Sequence, residues 1–338
     1  MPAAAYGLAT LDPLTLLLTS VVGEGVPDAA VPLLVHNEYA QDDFNKFADL
    51  AHRRRPVGRL SAATGGRLER SLRHRTILGP LGWGDELRAV FVGDGLGWGF
   101  ACLHRGRADP AFSREDEHLL ARLTAHVAHG LRTSLLLGGA AEQGASEAGP
   151  GLIELTAGLE VAAANDTGLA WLDQLEPAAG AGAGAGAGTL PPAIHAVLAR
   201  LRVLDADPAA APPPRLPVRA RSGRWLVLHA SHLHGPRKEG RTAVIIQPGR
   251  PLELAPLIAG AYGLSRRERD ICLLVLHGRS TSEISARLHI SANTVQEHLK
   301  SIFRKAGVTS RRELVGRVFL ERSSSLRLEP SDHEPPPG

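Results

Sequence analysis

One stretch near the end of the chain admits few folds. Leu264 to Phe319 reads LSRRERDICLLVLHGRSTSEISARLHISANTVQEHLKSIFRKAGVTSRRELVGRVF. In it a serine is followed three residues on by a glutamate at Ser265/Glu268, Ser280/Glu283 and Ser310/Glu313. In such a capping box the serine oxygen accepts from the backbone N–H three residues on, and the glutamate reaches back to the cap's own N–H. Each box satisfies two donors that a helix start otherwise leaves orphaned. A further start lies at Ser291, with Thr294 in the third helical position. Apolar spacing follows each start: Ile271, Leu274 and Val275; Ile284 and Leu288; Val295, Leu299, Ile302 and Phe303; Leu314, Val315 and Val318. Gly278 and Gly307 are placed to end the first and third helices. Between the second and third only His289-Ile290 intervene, which is helix-turn-helix spacing. From Leu264 to Arg322 there are twelve Lys and Arg against six Asp and Glu, a net of +6. The whole chain is +3 (38 against 35), so the remainder is −3. The basic excess therefore sits where a phosphate-binding module needs it.

These residues resemble the LuxR/NarL-type helix-turn-helix of bacterial transcription regulators. The pattern L-[ST]-x-R-E stands here as Leu264 to Glu268, and G-x-[ST]-x-x-E-I-[AS] as Gly278 to Ser285. The longer [IV]-S-x-x-T-V-x-x-H-[LV]-x-x-I-[FY]-x-K is Ile290 to Lys305, and G-V-x-[ST]-R-x-x-L is Gly307 to Leu314. The resemblance implies an all-α four-helix domain over residues 264–322, with helix 292–306 in the major groove of promoter DNA. Base reading falls on Gln296, Glu297 and Lys300, since Gln suits adenine, Lys guanine, and Glu the cytosine amino group. Relatives commonly carry Lys in place of Gln296 and a neutral residue in place of Glu297, so both departures lower the positive charge. Thr281, Ser282, Ser291, Asn293, Thr294, Arg304 and Lys305 would address phosphates, which set register rather than sequence. Leu314, Val315 and Val318 would support a homodimer that meets two half-sites about one helical turn apart. RNA polymerase is the further partner implied, and His298 is expected to pack or meet a phosphate.

A chain of 338 residues has room for two or three domains at about 100–200 residues each. Residues 1–137 read as α+β. A strand is expected at Leu14–Val22, a helix over Leu33–Ala51 after Pro32, and a further helix opening at Ser61 or Ser71. Two strands, Glu86–Val92 and Gly97–Leu103, flank the hairpin signal Gly93-Asp94-Gly95. Ser113 then caps a long helix with the stripe Leu120, Leu123, Val127, Leu131 and Leu135. That stripe is expected to pack in the core, with a second dimer surface as the other use. The hairpin, the run Asp109-Pro-Ala-Phe-Ser-Arg-Glu-Asp116 and the closing helix resemble the end of a GAF domain. The resemblance implies an antiparallel-sheet sensor module that holds an unidentified small-molecule ligand or serves as a dimer scaffold.

Residues 138–150, GGAAEQGASEAGP, have the composition of a flexible linker. Within 151–249, strands are expected at Leu152–Leu155 and Leu159–Ala163, a short helix capped at Asn165-Asp166, and an Ala/Gly-rich insertion over 178–188 that cannot build a core. A helix opens at Pro191-Pro192 and runs through Leu204, followed by strands at Val218–Arg221, Arg224–His229 and Thr242–Gln247. That order resembles a PAS-like antiparallel-sheet sensor domain. Residues 250–263 form a linker, and 323–338, rich in Ser, Pro and charge, a disordered tail. No internal repeat is visible.

The remaining signals exclude more than they add. No apolar run reaches the roughly eighteen residues of a membrane span, so a soluble cytoplasmic protein is expected. Cys102 and Cys272 stand far apart in apolar runs and imply neither disulfide nor metal site. His229, His232 and His234 straddle a strand end and do not converge, so no metal is expected. No G-x-S-x-G, H-E-x-x-H or G-x-x-x-x-G-K-[ST] is present. No cofactor or catalytic residue is therefore expected, and an enzyme with a DNA-tethering tail is disfavoured. A phosphorylated response regulator is the alternative, but Leu11-Asp12-Pro13 reads as a turn and Asp42-Asp43 falls in a helix pattern.

Overall fold

The computed structural model describes residues 2–137, 149–175, 190–208, 213–235 and 240–319. It holds two five-stranded antiparallel sheets and a C-terminal bundle of helices. The first sheet comprises β1 (Ala5–Leu11), β2 (Leu18–Glu24), β3 (Val57–Arg59), β4 (Trp83–Gly93) and β5 (Leu96–Gly106), in the order β2-β1-β5-β4-β3. α1 (Val31–Ala40) and α2 (Phe47–Ala51) cover one face, and α4 (Arg114–Leu137) packs on β4 and β5. The short α3 (Leu60–Thr64) lies between β3 and β4. The second sheet has the same order: β7 (Val161–Ala164), β6 (Gly151–Leu155), β10 (Thr242–Pro248), β9 (Trp225–His232) and β8 (Arg215–Arg219).

The strand expected at Leu14–Val22 begins later, at Leu18, and a turn over residues 12–17 precedes it. The Asp12 carboxylate holds that turn by accepting from the Thr15 hydroxyl at 2.5 Å. Before it runs β1, which apolar alternation does not announce. Its inward residues are the small Ala5, Gly7 and Ala9, while Tyr6 and Leu8 are 37% and 41% exposed. The expected helix Leu33–Ala51 starts at Val31 and is broken after Ala40. The chain turns extended at Gln41, and the Lys46 ammonium folds back to cap the carbonyls of Asn37 and Gln41 at 2.6 and 2.5 Å. The Glu38 carboxylate meanwhile accepts from the Phe47 N–H at 2.8 Å, at the new start.

β4 and β5 run longer than expected, and Asp94 and Gly95 take the positive φ that a tight two-residue hairpin turn requires (52° and 73°). Ser113 does cap α4, accepting from the Asp116 N–H at 3.1 Å. The packing face, however, is turned from the one expected. Leu120, Thr124 and Ala128 are buried, whereas Leu123 and Val127 are 44% and 36% exposed. With Leu119, 46% exposed, they form an outward stripe.

In the second sheet, Asn165 caps α5 (Asp166–Gln174), accepting from Gly168 N at 2.8 Å, and also accepts from Leu152 N at 2.9 Å. The Ala/Gly-rich insertion lies outside the described residues. α6 (Pro192–Ala206) is buried from Pro192 to Ala199. It packs on β8 and β9 of its own sheet and on α1 and β2 of the first, so one core runs through both. Residues 250–263 are no slack linker. Pro251–Ala261 is a helix, α7, buried at Leu254, Ala255 and Leu257 to Ala261. It packs on α4, and its Gly260 comes so close to the β4–β5 hairpin that an added Cβ would lie 3.0 Å from Leu96. Cys272 is buried and Cys102 half-buried; burial pushes their thiols up to about 12 and about 11. Among the described residues no helix is long and apolar enough to cross a membrane.

Candidate DNA interface

The C-terminal helices are α8 (Arg266–Leu276), α9 (Thr281–Leu288), α10 (Ala292–Ala306) and α11 (Arg311–Phe319). Two of the three capping boxes close as the sequence predicts. The Ser265 and Ser280 oxygens accept from Glu268 N and Glu283 N, and both glutamates accept the cap's N–H at 2.7 Å. The third differs. Glu313 N donates to Ser310 at 3.2 Å, but the Glu313 carboxylate takes the N–H and hydroxyl of Thr309, one residue before the cap. Ser291 caps α10 through the Thr294 N–H at 3.0 Å.

α9 and α10 meet at a tight turn in which His289 adopts φ 52°, an uncommon backbone for a residue with a side chain. Ser285 holds the turn closed: its hydroxyl donates to the Ile290 carbonyl at 2.5 Å, and its own carbonyl accepts from Ile290 N at 3.2 Å. Ile284, Val295, Leu299 and Ile302 are buried between the helices with Ile271, Cys272 and Val275 of α8. That packing fixes which side of α10 faces out.

Ser282, Ser291, Asn293, Thr294, Gln296, Glu297, Lys300 and Arg304 are all exposed, on α9, α10 and the turn between them. The Gln296 amide donates to the Thr281 hydroxyl at 3.4 Å, tying α10 to the start of α9. Lys300 and Glu297 form an exposed ion pair at 2.8 Å, so these two charges cancel. His298 is half-buried.

Lys305 is engaged inward. Its ammonium donates to the Gly263 carbonyl at 3.1 Å and to Glu268 at 2.7 Å. Burial alone would raise Glu268, but hydrogen bonds from Lys305, Ser301 and Ser265 outweigh it and bring the carboxyl down to about 2. Arg267 and Arg269 likewise donate to the carbonyls of Leu288 and Leu264, at 2.7 and 2.8 Å. Sequence reasoning does not separate these internal cations from the outward ones, since both count equally in a net charge. Leu314 and Val318 are buried to 0% and 1% exposure in the chain's own core and Val315 packs against it, with α11 lying on α7 and α8.

Residues 263–318 match the family model for bacterial regulatory proteins of the luxR family. The chain is 42% identical over 57 residues to the monoamine regulon transcriptional regulator of Klebsiella aerogenes, covering 17% of this chain and 25% of that one. It therefore spans about a quarter of that relative's length. It is 37% identical over 65 residues to the spore germination protein GerE of Bacillus subtilis, covering 19% of this chain and 85% of GerE. A solved structure, the crystal structure of the phage VqmA-DPO complex, aligns with 56% of this chain and 87% of its own at 16% identity and a TM-score of 0.20. The helix-turn-helix with its outward polar face is thus the DNA-binding domain of a transcriptional regulator, and the chain belongs to the luxR family of bacterial regulatory proteins.

Proposed function

We propose that the chain is a cytoplasmic, sequence-specific transcription regulator that binds promoter DNA as a dimer and is gated by a small molecule at its N-terminal domains. The observation that carries the reading is α10. Its apolar stripe is buried, its N-terminal half is polar and exposed, and α9 and a tight turn brace it. In this reading α10 lies in the major groove, where Gln296, Glu297 and Lys300 face base edges. Thr281, Ser282, Ser291, Asn293, Thr294 and Arg304 address phosphates. Lys305 belongs to that set only if it leaves Glu268. Residues 1–137 and 151–249 act as GAF-like and PAS-like sensor modules, a reading that the two antiparallel sheets and their covering helices support. RNA polymerase is the partner through which such a regulator acts.

The dimer is best placed away from Leu314 and Val318, which are already covered within the chain. The outward stripe of Leu119, Leu123 and Val127 on α4 offers apolar surface at helical spacing and is the surface we assign to it. The test of the DNA reading is a gel shift with a promoter fragment selected from random sequence. The double variant Gln296→Ala, Lys300→Ala should lose specific binding while its thermal midpoint stays put. Undiminished specific binding would sink the reading.

A further inference from the structure

The N-terminal sheet and α1–α2 enclose a hollow of about 90 Å³. Three of its lining residues, Tyr39, Phe47 and Phe100, are aromatic, drawn from only three Tyr and seven Phe in the whole chain. Phe47 and Phe100 stack with ring centroids 3.9 Å apart, and the Arg88 guanidinium carbon lies 3.7 Å from the Phe47 centroid. A glycine helps to keep the space open. Gly7 points inward from β1, and a Cβ placed there would meet nothing closer than Val21 at 3.9 Å.

One end of this hollow is polar. Arg88 pairs with Glu38 at 2.7 Å, and Arg73 with Glu86 at 2.6 Å and Asp43 at 3.8 Å. With Lys46 nearby, three cations stand against three carboxylates, so this end offers donors without net charge. Two buried atoms here lack a hydrogen-bond partner, Arg88 Nε and His104 Nδ1. Both residues line the hollow, at 3% and 2% exposure, and His104 Nδ1 is 4.0 Å from Glu86, beyond hydrogen-bond reach. Buried polar atoms are nearly always paired, and leaving one bare is costly. Burial also lowers His104 to about 4, so its ring is neutral at neutral pH.

We propose that this hollow binds a neutral small molecule with an apolar body and one oxygen acceptor, the oxygen taking the Arg88 Nε–H beside His104 Nδ1. The apolar body lies against Val31, Leu34, Val35 and Phe100, since the Arg88 guanidinium covers the other face of Phe47. A carboxylate is disfavoured, because it would lose its water without meeting a net positive charge. This deepens the gating reading above and depends on it only for what occupancy does to DNA binding.

The test titrates the full chain with acetophenone, ethylbenzene and benzoate, followed by saturation-transfer NMR and by the thermal midpoint. Acetophenone should bind and raise the midpoint. Ethylbenzene, which lacks the oxygen, should bind about tenfold more weakly, the worth of one hydrogen bond, and benzoate at least as weakly. Gly7→Leu, which fills the hollow from β1, should abolish binding without lowering the midpoint. Val35→Trp, entering from α1, is the second blocking variant should Gly7→Leu not fold. Ethylbenzene binding as tightly as acetophenone, benzoate binding best, none of the three binding, or acetophenone binding unchanged in a folded blocking variant each overturns the proposal. Occupancy is measured without DNA. Binding that leaves the gel shift unaltered therefore removes the gating and keeps the site, while loss of the gel-shift reading leaves the site untouched.

Discussion

In the proposed reading of α10, the ion pair of Glu297 and Lys300 would set how the helix presents itself to DNA. Both side chains are largely exposed, and exposed ion pairs contribute about 0–1 kcal/mol, so Lys300 leaves Glu297 at little cost. A carboxylate beside phosphates is nonetheless repulsive. Glu297→Gln should tighten DNA binding several-fold at low salt, with an advantage that fades as salt rises; a gel-shift series over salt concentration measures it. The basic residues at the end of α10 separate in the same experiment. Arg304→Ala should lower the slope of log affinity against log salt by about one. Lys305→Ala should leave that slope nearly unchanged, because Lys305 is spent on Glu268 and Gly263. The Glu268 carboxyl is held down at about 2 from an ordinary value of 4.5. A carboxyl with a depressed pKa adds stability that is fully present above the unfolded value and lost as pH falls through the folded one. The bundle should therefore weaken between about pH 4.5 and 2, and Glu268→Gln should flatten that part of the acid-unfolding curve while costing about 1–2 kcal/mol at neutral pH.

Among elements, those legible in the sequence are the ones whose instructions are local. α8 to α10 carry cap, stripe and stop within a few residues, and Ser280→Ala should cost about 1 kcal/mol of bundle stability by urea unfolding. The hairpin at Asp94-Gly95 is legible for the same reason. Elements set by distant neighbours were not. β1 turns small residues inward, leaving no apolar alternation to find. The end of α1 is capped by Lys46, which folds back over its last carbonyls from beyond the break. On α4 the apolar residues span more than one face, and only the sheet beneath decides that Leu120 goes in and Leu123 out. The buried charges hid differently. In Glu86-Leu-Arg-Ala-Val the alternation puts Leu87 and Ala89 on one face and Glu86 and Arg88 on the other, which reads as a solvated face until α1 is seen to cover it. The outward polar face of α10 was legible, whereas the inward use of Lys305 and the burial of Leu314 and Val318 needed contacts from elsewhere in the chain. If the α4 stripe is the dimer surface, Leu123→Glu should shift the chain towards monomer in light scattering.

At the scale of the molecule, α7 makes the DNA-binding bundle part of the same apolar core as α4 and the β4–β5 hairpin. Leu257 is 4% exposed within that core, so Leu257→Ala should cost about 2–5 kcal/mol. It should also lower the unfolding midpoint of the bundle and the N-terminal sheet together in calorimetry. Two separated transitions, with only one of them moved, would show that the bundle is not coupled to the sheet. The two sheets repeat one strand order although no sequence repeat links them; hydrogen-bonded topology constrains only where strands and turns fall, not which residues fill them. The two cysteines add a practical property. With thiols pushed up to about 11 and about 12, almost no thiolate exists at neutral pH, and thiolate is the form that reacts with alkylating reagents. The native chain is thus a nearly silent background for thiol labelling. A single cysteine introduced at an exposed position such as Asn293 could carry a fluorophore or spin label, and report whether α10 moves when the N-terminal hollow is filled.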